Sequence, residues 1–312
     1  MSNFKFFDNG SSATTKIITK PDLKDSKPVN TSLKSARYRS EQQIITKHNG
    51  TIASHGIINH EYLLDINKQD DGYDAKVTIT DASGSYEPEI MTDMIQLGLL
   101  IDSVRHEQKF KGGADGKLKH LTNKQEMISN WMTLKTMQLK DGQMLKHFNN
   151  DEQKQILTEV NSYCDVVFSD KYPMLDELYK NLFHFTVFDR YLSTQNIEGK
   201  DNNTHHFYSS LFNIPLTMEF VYENVEQKYD TYQFEKNSKL LYVDYNTIIG
   251  IYKEQYQPVL KYSFTDYDYT INSKVEVDKS TNFIKQAYVT IKEAVKNNVE
   301  NTIIYNLKQV EL

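Results

Sequence analysis

Apolar and polar residues alternate toward both ends of this chain, and in its middle third the apolar positions recur every three or four residues. In "EYLLDIN" (61–67) Tyr62, Leu64 and Ile66 share one face, and in "YDAKVTIT" (73–80) Tyr73, Ala75, Val77 and Ile79 do the same. That period of two predicts a pair of strands, and Asp71-Gly72 predicts the turn between them. After Pro88 the spacing lengthens, and Ile90, Met94, Leu97 and Ile101 predict a helix. "DSVRHEQKF" (102–110) and "GKLKHL" (116–121) read as short strands. Asn123 and Glu126 have the spacing of a capping box, with Asn in place of the usual Ser or Thr. Met127, Trp131 and Leu134 then form one helical stripe, which places the only tryptophan in the core. Two further helices are expected. One starts at Asn150 or Asp151 and carries Ile156, Val160, Cys164 and Val167; the other starts at Pro173 and runs to Phe188.

Alternation then returns. Ile214, Leu216, Met218, Phe220 and Tyr222 define a strand that "YDTYQFE" (229–235) can pair. Asp244 caps a short helix that Pro258 closes, and three strands with short connections end the chain as an antiparallel meander. The class is α+β, with antiparallel sheets at both ends of the body and a central group of helices. The order strand, strand, helix, strand, strand over 61–121 recurs over 213–293. Internal duplication of ββαββ-type halves is one expectation, and chance recurrence of a common order is the other. The expected organisation is a basic polar arm over 1–50, a first half over 51–192, a linker loop over 193–206 and a second half over 207–312.

Charge sharpens the picture at the N-terminus. The chain carries −6 overall, but nine Lys/Arg against four acids give residues 1–49 a charge of +5. Polar and proline-bearing, this stretch buries too little to order itself, apart from a short strand at "QQIIT" (42–46). Lys34, Arg37, Tyr38 and Arg39 are its candidate partner-binding residues. An acidic body disfavours nucleic acid, so a protein partner is expected, self-association included. No apolar run has the roughly 18 residues of a membrane span or the h-region of a secretory signal. Cytoplasm is the default expectation, with signal-less export as the alternative.

Chemistry is sparsely signalled. No P-loop, GxGxxG or G-x-S-x-G occurs, and no cofactor is expected. Cys164 lies on an apolar helical stripe, where cysteine acts as a small hydrophobe. "HEYLL" (60–64) begins like a zinc-protease motif but has Leu64 where the second ligand belongs. The adjacent His205 and His206 are the remaining metal candidates, although isolated histidines more often serve packing or surface roles. Asp266 and Asp268 are the catalytic candidates. Two residues apart on a strand they stand about 6.7 Å apart, within the carboxylate spacing of inverting glycosidases, yet they fall on the face opposite Tyr267 and Tyr269 and read more simply as solvated.

Three functions remain. The first is a non-catalytic adaptor, chaperone-like or assembly protein that docks through the basic arm and sheet surfaces, in service to a secretion or injection apparatus. The second is a carrier holding an apolar small ligand in a curved sheet; the terminal meander resembles lipoprotein-carrier folds in strand order, without a motif. The third is a hydrolase using the acidic and histidine residues above.

Overall fold

Twelve strands form a single antiparallel sheet in the computed structural model, which describes residues 33–139, 144–194, 197–201 and 203–312. The expected arm supplies β1 (Leu33–His48), and the first half supplies β2 (Thr51–Gln69), β3 (Gly72–Glu87), β4 (Glu107–Gly113) and β5 (Leu118–Leu121). The second supplies β6 (Gly199–Lys200), β7 (His205–Tyr208), β8 (Pro215–Gln227), β9 (Thr231–Tyr242), β10 (Tyr267–Asp278), β11 (Ile284–Val295) and β12 (Val299–Val310). Their spatial order is β5-β4-β3-β2-β1-β12-β11-β10-β9-β8-β6, with β7 also on β8. The first and last strands meet in the middle, because β1 pairs β12 from Arg37↔Val310 to His48↔Val299. One sheet therefore serves both halves.

Two expectations are corrected here. From Leu33 onward the basic arm is a central strand; residues 1–32 lie outside the described residues. Its alternation was hidden because the inward positions are Ala36, Tyr38 and Ser40, small or hydroxylated, rather than uniformly apolar. The expected linker over 193–206 contributes β6 and part of β7, both paired to β8.

One face of the sheet is apolar and covered; the other is polar. Tyr38, Leu64, Val77, Phe220, Phe234, Ile271 and Val289 belong to one continuous core that draws on both halves. Onto it pack α4 (Met174–Leu178) and α5 (Leu182–Val187), which bring Leu178, Phe183 and Phe188. A smaller core lies under α1 (Ile90–Asp102), α2 (Lys124–Met137) and α3 (Asn150–Val167). Trp131 is buried there, stacked on Phe168, and its indole N–H donates to Asp165 Oδ1 at 2.9 Å. The stretch over residues 113–138 is thus where the sheet hands over to the helical layer.

Local chemistry departs from the sequence pattern in three places. Asn123 precedes α2 but makes no cap: its Oδ1 accepts from the Lys109 amide at 2.9 Å and its Nδ2 donates to the Glu107 carbonyl at 2.9 Å, tying the helix to β4. The true capping box is Asn149 with Glu152, at the start of α3. The helix expected over 173–188 breaks at Asn181, whose side chain caps α5 by accepting from Phe183 N at 2.8 Å. Asp244 does cap α6 (Tyr245–Ile251), but the helix passes through a π segment (Tyr252–Tyr256) and ends beyond Pro258, at the close of α7 (Gln257–Leu260).

Candidate functional site

Strands β9 and β10 are two arms of a hairpin interrupted by α6 and α7. They pair in register from Thr231↔Asp278 to Asn237↔Asn272 and then part. Beyond that point β9 continues to Tyr242 alongside β8, while Tyr267–Ile271 of β10 pair with β11 alone. Ser238 stands at the vertex, where its Oγ accepts from the Ile271 amide at 2.7 Å in place of a backbone carbonyl. The result is a fork with strand edges on both rims.

The space between the rims is a cleft of about 370 Å³ lined by Ser238–Val243, Tyr245 and Tyr267–Thr270. Leu241, Tyr242 and Tyr245 are 44%, 64% and 46% exposed at its mouth. The Tyr245 ring meets Tyr267 edge-on at 6.3 Å. Tyr267 and Tyr269 turn their side chains inward, and burial together with the nearby Glu293 carboxylate pushes both phenols well above their ordinary range. Glu293 is itself fully buried on β11, where it accepts from Ser209 Oγ, the Ser210 and Leu211 amides, Ser210 Oγ and Tyr267 OH. Burial raises its pKa against the pull of those donors. This cluster fastens the loop before β8 to the sheet floor behind the fork.

The paired stem below the fork is held by a second buried group. Asp189 accepts from Lys236 Nζ, Tyr222 OH and the Arg190 amide, each at 2.7 Å. Lys236 sits on the inner face of β9, with its ammonium 4.0 Å from the Phe185 ring centroid. Burial depresses the Lys236 pKa and Asp189 opposes it; the Asp189 carboxyl, which burial alone would raise, is held low by Lys236.

A smaller cleft of about 210 Å³ lies where β3 and β4 part, at the foot of α1. Its charged groups are paired with one another: Arg105 with Asp102, and Lys180 with Glu177 at 2.7 Å. Glu177 also accepts from the Tyr163 and Tyr172 hydroxyls at 2.9 and 3.0 Å. His184 lines this cleft with its ring among Phe110, Phe183 and Phe188, and neither ring nitrogen has a hydrogen-bond partner. Burial, and secondarily the Arg105 charge, push its pKa down to about 3, so the ring is neutral at physiological pH. Neither cleft is an enclosed apolar chamber.

The residues singled out from sequence are scattered. Tyr38 is fully buried on the inner face, while Arg37 and Arg39 project from the outer face, both paired with Glu61. Lys34 Nζ donates to the Ser280 carbonyl at 2.9 Å. Of the two aspartates, Asp266 lies in the coil before β10 and pairs with Lys296 at 2.6 Å, while Asp268 stands exposed on the fork rim. His205 is partly buried, with Nε2 2.9 Å from Asp201 Oδ2, and His206 is exposed on the opposite face of β7. Adjacent on a strand, the two imidazoles diverge. Among the described residues no group of three or more His, Cys, Asp or Glu side chains could hold a metal. Cys164 is buried and its thiol is pushed up to about 12, chiefly by burial. No described helix is long and apolar enough to cross a membrane.

No protein-family model matches the sequence, and no curated protein matches it. Among solved structures, lipovitellin, from work on its lipid–protein interactions, is similar with a TM-score of 0.41 and 11% identity over 89% of this chain. The chain spans 25% of lipovitellin's length. A likeness this slight bears on neither fold nor function.

Proposed function

We propose that this protein is a non-catalytic interaction protein, an adaptor or assembly factor, that docks its partner at the mouth of the β9/β10 fork. The observation that carries this reading is the exposure of Leu241, Tyr242 and Tyr245 side by side at one cleft. Tyrosine is enriched where interfaces concentrate their binding energy, since it combines a large apolar ring with a hydroxyl. A cluster of such groups beside a concavity marks a contact surface more strongly than the same residues scattered singly.

The dispersion of the reactive groups supports the same reading. Catalysis needs a nucleophile or a general acid and base converging on one reacting atom. Asp266 is paired with Lys296 and His205 with Asp201, the His205 and His206 imidazoles point to opposite faces, and the charged groups of the smaller cleft neutralise one another. The basic arm, now confined to residues 1–32, lies outside the described residues and is a separate proposal as a docking element.

The test is the double substitution Leu241→Asp with Tyr242→Asp in the full chain. Both side chains are exposed, so the melting temperature should hardly move. A partner captured from native extract by the wild type is purified and its affinity measured directly. At least about a tenfold loss of affinity in the variant is expected, since removing anchor residues typically costs more than 1 kcal/mol. Undiminished affinity in a folded variant would sink the proposal.

A further inference from the structure

The fork has a property that an ordinary apolar patch lacks, namely main chain that no neighbouring strand pairs. On a strand, the N–H and C=O of alternate residues point to the same side. The Ile271 amide points toward β9, where it finds Ser238 Oγ, and the Asp266 carbonyl points the other way, accepting from Lys296 N at 2.9 Å. Tyr269 and Tyr267, two and four residues before Ile271, therefore direct their main-chain groups into the fork. No β9 residue is in register with either of them.

Several other free edges of the sheet are guarded. At its ends stand β5, β6 and β7, of four, two and four residues. The free end of β8 is broken by a register shift between Glu223 and Glu226, with Asn224 at φ 55°. The distal half of β3 is covered by α1, as Gln96 Nε2 donates to the Gly84 carbonyl at 2.8 Å. Short edges, bulges, charges and covering helices are the usual protections against stray strand pairing. Among the described residues, β10 presents to the fork a regular edge at Tyr267 and Tyr269, facing a β9 rim that is bulged at Leu241.

We propose that the fork receives an extended segment of a partner protein as an added β-strand, with its main chain bonded to Tyr267 and Tyr269 of β10. This rests on the reading of the fork as the docking site and specifies how the partner is held. Five rim residues, Tyr267–Ile271, give about 16 Å of strand at the usual rise. The occupant is therefore four or five residues of extended chain with alternate apolar side chains, one set facing the Leu241, Tyr242 and Tyr245 surface. A second copy of this chain is the weaker donor, because outside the fork itself its end strands β5, β6 and β7 are of four, two and four residues and its free end of β8 is bulged. Main-chain bonds supply affinity in this mode and the alternate side chains supply selectivity.

The probe is a pool of synthetic nonapeptides with Val, Ile or Tyr at odd positions and Ser, Thr or Lys at even ones. A matched pool has the central amides N-methylated, which removes their donors. Expected are saturable binding of the first pool to the full chain, at least about tenfold weaker binding of the methylated pool, and slowed amide exchange at Tyr267 and Tyr269 on binding. Binding that Leu241→Asp/Tyr242→Asp abolishes but methylation leaves intact, with those amides unprotected, would overturn strand addition while leaving the docking site standing. Peptide binding unaffected by either change would overturn both. A concentration-dependent dimer that protects the same amides without peptide would overturn the foreign-segment assignment.

Discussion

The sheet contains two hairpins interrupted by helices, and they end differently. In the first, β3 and β4 pair from Gly72↔Gly113 to Thr78↔Glu107, and α1 then folds back along the free half of β3. There Thr92 Oγ accepts from the Tyr86 amide at 2.9 Å and donates to the Tyr86 carbonyl at 3.0 Å, so one side chain reproduces a rung of strand pairing. In the second, the excursion after β9 packs inward instead: Ile248 and Tyr252 join the core, and Tyr256 OH donates to the Leu211 carbonyl at 2.9 Å. The first fork is plugged by its own helix and the second is left open. The difference shows that an unfilled edge is not forced by the interrupted-hairpin topology. A short run such as Thr92 to Gln96 suffices to close one.

The largest test concerns the stem on which the open fork stands. Lys236→Met leaves the Asp189 carboxylate buried without its cation, which typically costs about 3–5 kcal/mol. Chemical denaturation should show that loss, and the double variant with Asp189→Asn should recover part of it. If Lys236→Met were neutral, the pair would not be what holds β9 beneath the fork.

The closed fork offers a pH signature. His184 at its foot has a folded pKa of about 3 against 6.5 for the free side chain. Between those values the unfolded chain binds a proton that the native ring refuses, so this contribution is full above pH 6.5 and is lost as pH falls toward 3. By pH 4 the loss amounts to about 3 kcal/mol. Around the ring stand Arg105, Asp102, Glu177, Lys180 and His60. Carboxylates such as Asp278, whose pKa burial would raise but whose hydrogen bonds with Ser280 and Thr281 hold it at about 2, also lose stability on acidification. They do so equally in His184→Phe, so the difference between the two stability–pH curves isolates the histidine. Parallel curves would show that the ring is already solvated.

Much of this frame was legible in the sequence. The inward rows Leu216, Met218, Phe220, Tyr222 and Tyr267, Tyr269, Ile271 alternate as expected and are buried. So does the hairpin of β2 and β3, although both strands run longer than their apolar centres. What sequence could not show is pairing between distant segments. Nothing local in Arg37 or Val310 signals that β1 lies beside β12, and the polar inward residues of β1 disguise it as an arm. The fork was invisible for the same reason, since it is defined by where pairing stops. The carboxylate of Asp268 is visible in the sequence, yet its place on the rim follows from where β9 and β10 part.

Opening the closed fork tests the comparison from the other side. A Cβ on Gly84 would lie 2.7 Å from Ile95 Cγ2 of α1 and 3.2 Å from the Ile57 carbonyl oxygen. Gly84→Val must therefore displace the helix, a mismatch that costs about 1–3 kcal/mol. Amide exchange should quicken over Ile79–Glu87 and stay unchanged at Tyr267 and Tyr269. Faster exchange in both regions would mean that the two forks are one cooperative unit.

The smallest effect distinguishes a cap from a tie. If Asn123 served α2 as an N-cap, Asn123→Ser would be nearly free, because serine caps about as well. The two shorter bonds of Asn123, both 2.9 Å, go instead to β4, to the Lys109 amide and the Glu107 carbonyl, with a longer one of 3.3 Å from Nδ2 to Glu126 Oε2. Serine is one bond too short to span both, so the substitution should leave the Lys109 amide without its partner and cost about 1–2 kcal/mol. Faster exchange at Lys109, with the first turn of α2 unchanged, would locate the loss at the strand. Slower or unaltered exchange there, at unchanged stability, would restore the capping role and leave α1 alone to hold the first fork closed.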